Sequence, residues 1–349
     1  MTLPACPDDA AKAATAIAGQ SAWIISDGKA GHEVQCLGVA NALGLNATVK
    51  RVSPGPFAKL AAPWGRVGRH EHFGGQDSNF GPPWPAFAFA AGRLTIPYIR
   101  ELKRRAKLAT FTVILLDPKT PANSADLIWV PEHDARRGPN IVSALTSPHS
   151  FTTQRLADLR AHAPAEIAAL PYPRVAVLLG GPNDVYRFDD ADAARLATAL
   201  AGMTRNGASL MISPSRRTPP AFLASVDAAT SAAPRIIYRG EGANPYADFL
   251  ANADAFVVTA DSVNMAGEAA ATGKPIYIFE PRGGGGKFAR YHDGLRCHGA
   301  TRILPDQGCA IEAWNYTPLD SAKTIADEIQ RRWQIRMQTI PGLMSAGRG

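Results

Sequence analysis

The feature that most constrains the fold is a regular alternation of short apolar segments and helical segments between Arg174 and Pro281. Five strand-like segments, RVAVLLGG, SLMISPS, RIIYRG, AFVVTA and PIYIFEP, are separated by four helix-like ones. Strands that are apolar on both faces and joined by helices build a parallel sheet that is covered on both sides. The pattern therefore predicts a Rossmann-like α/β domain whose binding residues lie in the loops that follow the strands.

The first half of the chain carries a second set of strands of the same kind. The strand AWIIS (Ala22–Ser26) leads into the loop DGKAGH (Asp27–His32) and a helix that ends at Gly44, and later strands are ATVKRV, AFAFAAG, FTVILLD and ADLIWVP. The segment Ser53–Pro85, rich in Pro, Gly and Trp, predicts a loop insertion. The expected fold class is thus α/β, with two Rossmann-like domains facing a cleft.

The length of 349 residues favours two domains, since one domain usually holds roughly 100–200 residues. We expect a flexible leader over residues 1–20, an N-terminal domain over 21–170, a C-terminal domain over 171–320, and a C-terminal helix and tail over 321–349. The leader lacks a basic region and is not typical of a signal peptide. The helix has one apolar stripe, which predicts that it packs back across the domains. The stripe consists of Ile325, Ile329, Trp333 and Met337.

The amino-acid composition limits the expected cellular location and the chemical class of binding partners. The four cysteines form no CxxC pair, so they predict neither a zinc site nor a disulfide framework, and a reducing, cytoplasmic location fits them. No apolar run approaches the roughly 18 residues of a membrane span. The formal charge of +7 favours anionic partners such as nucleotides or anionic lipid.

A cationic stripe lies on the predicted helix IPYIRELKRRAKL. Arg100, Lys103, Arg104 and Lys107 share one face by helical spacing. The stripe is compatible with peripheral contact with an anionic membrane surface or with a solvated helix face. It does not favour nucleic acid, because no aromatic residues are interleaved with the charges.

The loops of the second half carry a candidate site for a phosphate and a ribose. In TADSVNMAGEAAATGKP, which follows a strand, Asp261 or Ser262 can cap a helix whose first N–H groups favour an anion. Glu268, two turns along, is placed to accept hydrogen bonds from a ribose. The other candidate binding residues follow earlier strands and are Gly180, Gly181, Asn183, Ser213, Ser215 and Arg216. The alternatives are an ordinary capped helix with Glu268 facing solvent, and arginines in surface salt bridges.

The loop DGKAGH is the second candidate site. Gly28 and Gly31 allow a ligand to approach the backbone, and Lys29 can bind an anion. His32 is a candidate general base, and Asp27 and His32 are the candidate catalytic residues. The alternative interpretation of these residues is a simple strand-to-helix turn that binds no ligand.

No metal and no cofactor are predicted. Glu132, His133 and Asp134 are adjacent and project in different directions, so they do not form a convincing metal site. The run GGGGK lacks the context of a phosphate-binding P-loop, and the absence of G-x-G-x-x-G after a first strand disfavours a nicotinamide-dependent oxidoreductase or epimerase.

The segment around Glu268 resembles the sugar-nucleotide site of GT-B glycosyltransferases such as the peptidoglycan N-acetylglucosaminyltransferase. The spacing of Glu268, Gly273 and Pro275 carries this resemblance, which implies that the glutamate holds the ribose. Two positions depart from it. Asp261 stands where those enzymes often have a small hydroxyl residue, and Met265 where they often have threonine, and an anion beside a diphosphate repels it unless a cation intervenes.

The whole chain resembles the mitochondrial fission family first named for elongated mitochondria, which has many bacterial members. The matching segments are SDGKAGHEVQCLG, GPPWPAFAFAAGR, DPK, VPEHD, LLGGPNDVYRF, ISPSRRTP, NPYADFLANADAFVVTADSVNMAGEAAATGKP and KFARYHDGL. This resemblance implies a GT-B-like fold and, in plants, a role at the mitochondrial surface in recruiting a dynamin-related protein. The leading hypothesis is a glycosyltransferase that uses a nucleotide-activated sugar; the alternative is a non-catalytic adaptor that recruits a protein partner at a membrane surface.

Overall fold

The computed structural model describes residues 17–339, so the expected leader lies outside them up to residue 16. The chain divides into two compact units. The first runs to Ser150 and resumes at Asp320, and the second is the continuous segment Phe151–Leu319. The second unit is therefore inserted into the first, and the division falls at Ser150–Phe151 rather than at 170–171.

The first unit contains a parallel six-stranded sheet with the order β2-β1-β3-β4-β5-β6. Its strands are β1 (Ser21–Ser26), β2 (Asn46–Arg51), β3 (Phe87–Ala91), β4 (Phe111–Leu115), β5 (Leu127–Pro131) and β6 (Ile141–Ala144). Its first three helices are α1 (Ala30–Ala42), α2 (Pro56–Ala61) and α3 (Ile96–Ala106). The last strand, β6, is a short, partly exposed edge strand that the sequence pattern does not reveal.

The central strands of this sheet are buried on both faces, as their unbroken apolar sequences require. Successive side chains of β3 point to opposite faces, so Phe87 and Phe89 join one core cluster and Ala88 and Ala90 join another. The second cluster includes Phe73, from the insertion between β2 and β3. The segment Ser53–Pro85 is thus only partly the loop that its composition predicts, because it folds α2 and also supplies apolar side chains to the core.

The second unit contains another parallel six-stranded sheet, with the order β12-β11-β10-β7-β8-β9. Its strands are β7 (Arg174–Leu179), β8 (Ser209–Pro214), β9 (Arg235–Ile237), β10 (Ala255–Thr259), β11 (Ile276–Phe279) and β12 (Thr301–Ile303). Its helices are α4 (Thr153–Ala161), α5 (Ala165–Ala168), α6 (Asp190–Arg205), α7 (Pro220–Ala229), α8 (Tyr246–Asn252), α9 (Val263–Ala270) and α10 (Gly286–Cys297). The unit begins before 171 because α4 packs on α8, where Arg160 donates to the Ala251 carbonyl over 2.9 Å.

The C-terminal helix α11 (Ser321–Thr339) belongs to the first unit. Ile325 and Ile329 are fully buried in the same core cluster as Phe87, and Met337 packs at its edge. The rings of Trp333 and Phe87 lie 4.6 Å apart between centroids. The predicted apolar stripe is therefore the buried face, and the sheet that it covers is that of the first unit. No helix within residues 17–339 has the length and apolar character needed to cross a membrane.

Candidate functional site

Each sheet has one point at which the strand order reverses, and ligands of open α/β sheets bind beyond the strand ends at such points. In the first unit this point lies between β1 and β3, and in the second unit between β7 and β10. The loops that follow these four strands begin at Asp27, Gly92, Gly180 and Ala260. Three of these loops contain residues that the sequence analysis selects.

At the reversal point of the second unit, Asp261 is held by a dense set of donors. Its carboxylate accepts the backbone N–H of Gly181 over 2.9 Å, the hydroxyl of Thr259 over 2.7 Å and the guanidinium of Arg217 over 2.9 Å. The Asp261 side chain is fully buried, whereas that of Arg217 is 46% exposed. Arg217, which follows β8 next to Arg216, thus supplies a cation that pairs with the buried Asp261 carboxylate.

The two glycines after β7 accommodate this carboxylate. A Cβ on Gly180 would lie 2.2 Å from the Asp261 carboxylate oxygens, and one on Gly181 would lie 2.2 Å from the Arg217 carbonyl oxygen. The N–H of Gly180 donates to Thr259 over 2.8 Å. Both N–H groups therefore bind protein atoms and not a ligand. Glycine is required at these two positions because the Asp261 carboxylate and the Arg217 backbone lie too close for a Cβ. Asn183 caps its own loop, since its Oδ1 accepts the N–H of Val185.

A cavity of about 1020 Å3 opens beside this network within the second unit. Five of the residues selected from the sequence line it, and they come from the ends of β8 and β10 and from α9. They are Ser213, Ser215, Arg216, Ser262 and Glu268. Ser262 is the N-cap of α9, where its hydroxyl accepts the N–H of Met265 over 3.4 Å, and Asp261 does not cap the helix.

Glu268 points into the cavity, which excludes the solvent-facing alternative. The Tyr246 hydroxyl at the start of α8 donates to its carboxylate. Burial raises the pKa of Glu268 to about 7, although the Tyr246 hydrogen bond and the charge of Arg155 oppose the rise. Because the carboxyl shares a cavity with cationic and hydroxyl groups, it is the titratable group best placed to contact a ligand.

Two arginines, Arg216 and Arg239, line the cavity, and they differ in whether a protein side chain already binds the guanidinium. The Arg239 guanidinium is bound to Asp227, whose pKa is lowered by this hydrogen bond and by one from Arg235. Arg216 is exposed and has no hydrogen-bond or ion-pair partner within residues 17–339. Arg216 is therefore the cation of the cavity that remains available to an anion.

Sequence reasoning misses several lining residues, namely Tyr238, Arg239, Asn244 and Tyr246. All follow β9, a three-residue strand whose sequence gives little reason to examine the loop after it. Their position at the carboxyl end of a strand is the signal that identifies them.

In the first unit, Asp27 and His32 form a hydrogen-bonded pair at the reversal point. The Nδ1 of His32 lies 3.1 Å from Asp27 Oδ1, and the side chains are 21% and 2% exposed, respectively. With the proton on Nδ1, Asp27 fixes the tautomer in which Nε2 accepts a proton. Gly92, which follows β3 with φ +90°, makes room for the pair, since a Cβ there would lie 2.5 Å from the imidazole ring.

The rest of the DGKAGH loop supports this pair. Gly28 adopts φ +82°, a conformation that favours glycine, and its N–H donates to the Ser26 hydroxyl over 2.9 Å. Lys29 is exposed at the start of α1 and its side chain makes no hydrogen bond or ion pair within residues 17–339, and Gly31 is exposed on the first turn. The loop thus presents a cation and a histidine next to each other.

The cationic stripe on α3 is largely engaged within the first unit. Lys103 pairs with Asp126 over 3.0 Å, Arg104 pairs with Glu101 over 2.6 Å, and Arg100 donates to the Pro63 carbonyl over 3.1 Å.

No group of three or more His, Cys, Asp or Glu side chains within residues 17–339 is arranged to hold a metal.

Two Rossmann-like units with polar loops at their reversal points define a protein of GT-B-like fold. The UDP-GlcNAc 2-epimerase of Methanocaldococcus jannaschii has this fold in common with the chain, with a TM-score of 0.54 and 12% identity over 90% of this chain and 99% of that one. The chain belongs to the mitochondrial fission ELM1 family, whose profile matches residues 30–333.

Two curated relatives support this assignment. Mitochondrial fission protein ELM1 of Arabidopsis thaliana is 31% identical over 281 residues, which cover 72% of this chain and 66% of the plant protein. Uncharacterized protein RP120 of Rickettsia prowazekii is 30% identical over 281 residues, which cover 70% of this chain and 79% of that protein. The chain thus spans slightly less than two thirds of its plant relative.

Proposed function

We propose that the second unit binds a nucleoside-diphosphate sugar and that the chain transfers the sugar to an acceptor hydroxyl. The observation that carries this proposal is the convergence of Ser215, Arg216, Ser262 and Glu268 on one cavity from separate loops. Its volume of about 1020 Å3 suits a ligand of nucleotide-sugar size.

The diphosphate is assigned to the side of the cavity formed by Arg216, Ser215 and Ser262. A guanidinium without a protein partner can donate two parallel hydrogen bonds to phosphate oxygens. The first turn of α9 adds the positive end of a helix dipole. The Asp261 carboxylate does not oppose this binding, because Arg217 neutralises it.

The nucleoside is assigned to the side formed by Glu268 and two tyrosines. As a carboxylate, Glu268 can accept hydrogen bonds from both ribose hydroxyls, while Tyr246 holds it in place. Tyr238 offers an aromatic ring for stacking on a base. Because Glu268 has a pKa of about 7, ribose binding favours its ionised form and should strengthen above neutral pH.

In the transfer, the acceptor hydroxyl loses its proton as its oxygen attacks the anomeric carbon. The bond from that carbon to the diphosphate oxygen breaks, and the diphosphate leaves with the electron pair. We assign His32, oriented by Asp27, as the base that takes the proton. Arg216 stabilises the negative charge that develops on the leaving group.

Calorimetric titration with nucleotides and sugar nucleotides tests the donor site. UDP and UDP-GlcNAc come first, since UDP-GlcNAc appears in the name of the structural neighbour from M. jannaschii. We expect saturable binding that weakens about tenfold or more in Arg216→Ala and in Glu268→Ala, because each loses hydrogen bonds to or from a charged group. The exposed Arg205→Ala and Glu166→Gln, outside the cavity, should bind as the unaltered protein does.

Product analysis then tests the reaction. Released nucleoside diphosphate together with a glycosylated acceptor or free sugar supports transfer. An isomerised sugar that is still attached to its nucleotide would replace transfer with epimerisation. No binding across the panel by a folded protein would contradict the donor site itself.

The second candidate function is a non-catalytic adaptor. It is favoured by the family relationship to a plant protein named for mitochondrial fission. An adaptor would be silent in the titrations, and Glu268→Ala would leave its partner binding unchanged. The two functions are therefore distinguished by the same variant.

A further inference from the structure

Helix α2 buries none of its residues and presents large apolar side chains to solvent. Phe57 is 89% exposed, Leu60 is 83% exposed, and Trp64, one turn beyond, is 61% exposed. The N–H of Trp64 donates to the Ala61 carbonyl over 3.0 Å, which ties it to the end of the helix. We call these three side chains the α2 patch. A cluster of this kind on a protein surface is typical of an interaction site.

Exposed cations lie on the same segment of the chain as the α2 patch. Lys59, Arg66 and Arg69 are exposed on the same segment, and none has an ion-pair partner within residues 17–339. The Arg100 guanidinium donates to the Trp64 carbonyl over 3.2 Å, which places the basic side of α3 beside the patch. The surroundings of the patch therefore attract an anionic surface.

A cavity of about 860 Å3 lies within the first unit, and its lining begins at Gly65, the residue after Trp64. Its cationic lining residues are Arg66, Arg69, Arg100, Arg104 and Arg105. The acidic residue among those lining it, Glu101, is bound to two of these arginines. The cavity consequently has an excess of positive charge and suits a phosphate-bearing headgroup.

We propose that the α2 patch inserts into the interface of an anionic membrane, with Lys59, Arg66 and Arg69 against the lipid phosphates. Apolar and aromatic side chains beside basic ones are typical of segments that lie in the plane of a membrane interface. In an anionic bilayer the apolar side chains are buried away from water, and the cations without an ion-pair partner contact lipid phosphates. This docking is independent of the donor cavity in the second unit.

Vesicle flotation tests the proposal, using phosphatidylcholine vesicles with or without about one third phosphatidylglycerol. The protein should float with the anionic vesicles and much less with the neutral ones. Each of Phe57→Ser, Leu60→Ser and Trp64→Ser should lower the partition coefficient about tenfold, which corresponds to burial of one large apolar side chain. Lys59→Glu should lower it more than fivefold, because a favourable charge becomes an unfavourable one, where one basic residue is worth about fivefold.

The matched control is Ile303→Ser, which changes an apolar residue that is 56% exposed in the second unit. It should leave flotation unchanged. Quenching of tryptophan fluorescence by lipids with brominated acyl chains gives a second measurement, since Trp64 is far more exposed than Trp23, Trp129 or Trp333. Absence of flotation with anionic vesicles, or equal flotation of the Ser variants and the control, would overturn the proposal.

Discussion

The pKa of Glu268 makes a quantitative prediction about folding stability. Burial raises this pKa from 4.5 to about 7, and at about 1.4 kcal/mol for each tenfold change in proton affinity the rise corresponds to about 3 kcal/mol. Since the folded state binds the proton more tightly, the resulting stability is fully present below pH 4.5 and is lost as the pH rises through 7. Glu268→Gln cannot ionise, so it should avoid this loss.

The assay is urea unfolding at about pH 5 and about pH 8, fitted with separate transitions because the chain has two units. Relative to the unaltered protein, Glu268→Gln should gain about 2–3 kcal/mol in free energy of unfolding between the lower and the higher pH. The exposed Glu166→Gln makes the same chemical change outside the cavity and should show no such gain. A pH-independent difference for Glu268→Gln would refute the assignment of a buried, proton-binding carboxyl at this position.

Two further predictions concern the reversal points of the sheets. Gly92→Ala places a Cβ 2.5 Å from the His32 ring at φ +90°, so it should lower the free energy of unfolding by about 1–2 kcal/mol. Release of nucleoside diphosphate should fall about hundredfold, because the base is displaced. Unchanged turnover in this variant would exclude His32 as the base. Arg217→Ala leaves the buried Asp261 without its cation and should lower the free energy of unfolding by about 2 kcal/mol, less than for a fully buried pair because Arg217 is 46% exposed. Arg216→Ala, measured in the same urea titration, should change stability by less than about 0.5 kcal/mol, and an equal loss in both variants would contradict the distinction between the two arginines.

The sequence predicts the interior of the fold better than its edges. Central strands such as β3 and β7 are continuous apolar runs because they are buried on both faces, and this makes them recognisable. The edge strands β6 and β12 are three or four residues long and partly exposed, so their composition resembles that of a loop. The insertion before β3 is misjudged for a related reason, since its Pro and Gly content conceals a short helix and two buried phenylalanines.

The candidate site is recovered from the sequence where one loop carries several polar residues. Glu268 lies on the helix that Ser262 caps, and Asp27 and His32 share a loop, so their proximity is local. The contact between Tyr246 and Glu268 joins residues 22 positions apart, and it depends on the tertiary structure that brings the start of α8 to Glu268, which no local pattern encodes. The pairing of Asp261 with Arg217 rather than Arg216 is likewise decided by tertiary geometry.

The insertion of the second unit into the first has a consequence for biosynthesis. The ribosome must add roughly 170 further residues after Ser150 before the chain returns to the first unit. Until then the side of Phe87 that later contacts Trp333 has no cover, and exposed apolar surface of this kind promotes aggregation of nascent chains. The continuous second unit can complete its sheet first, so the half that begins to be translated earlier is the last to mature.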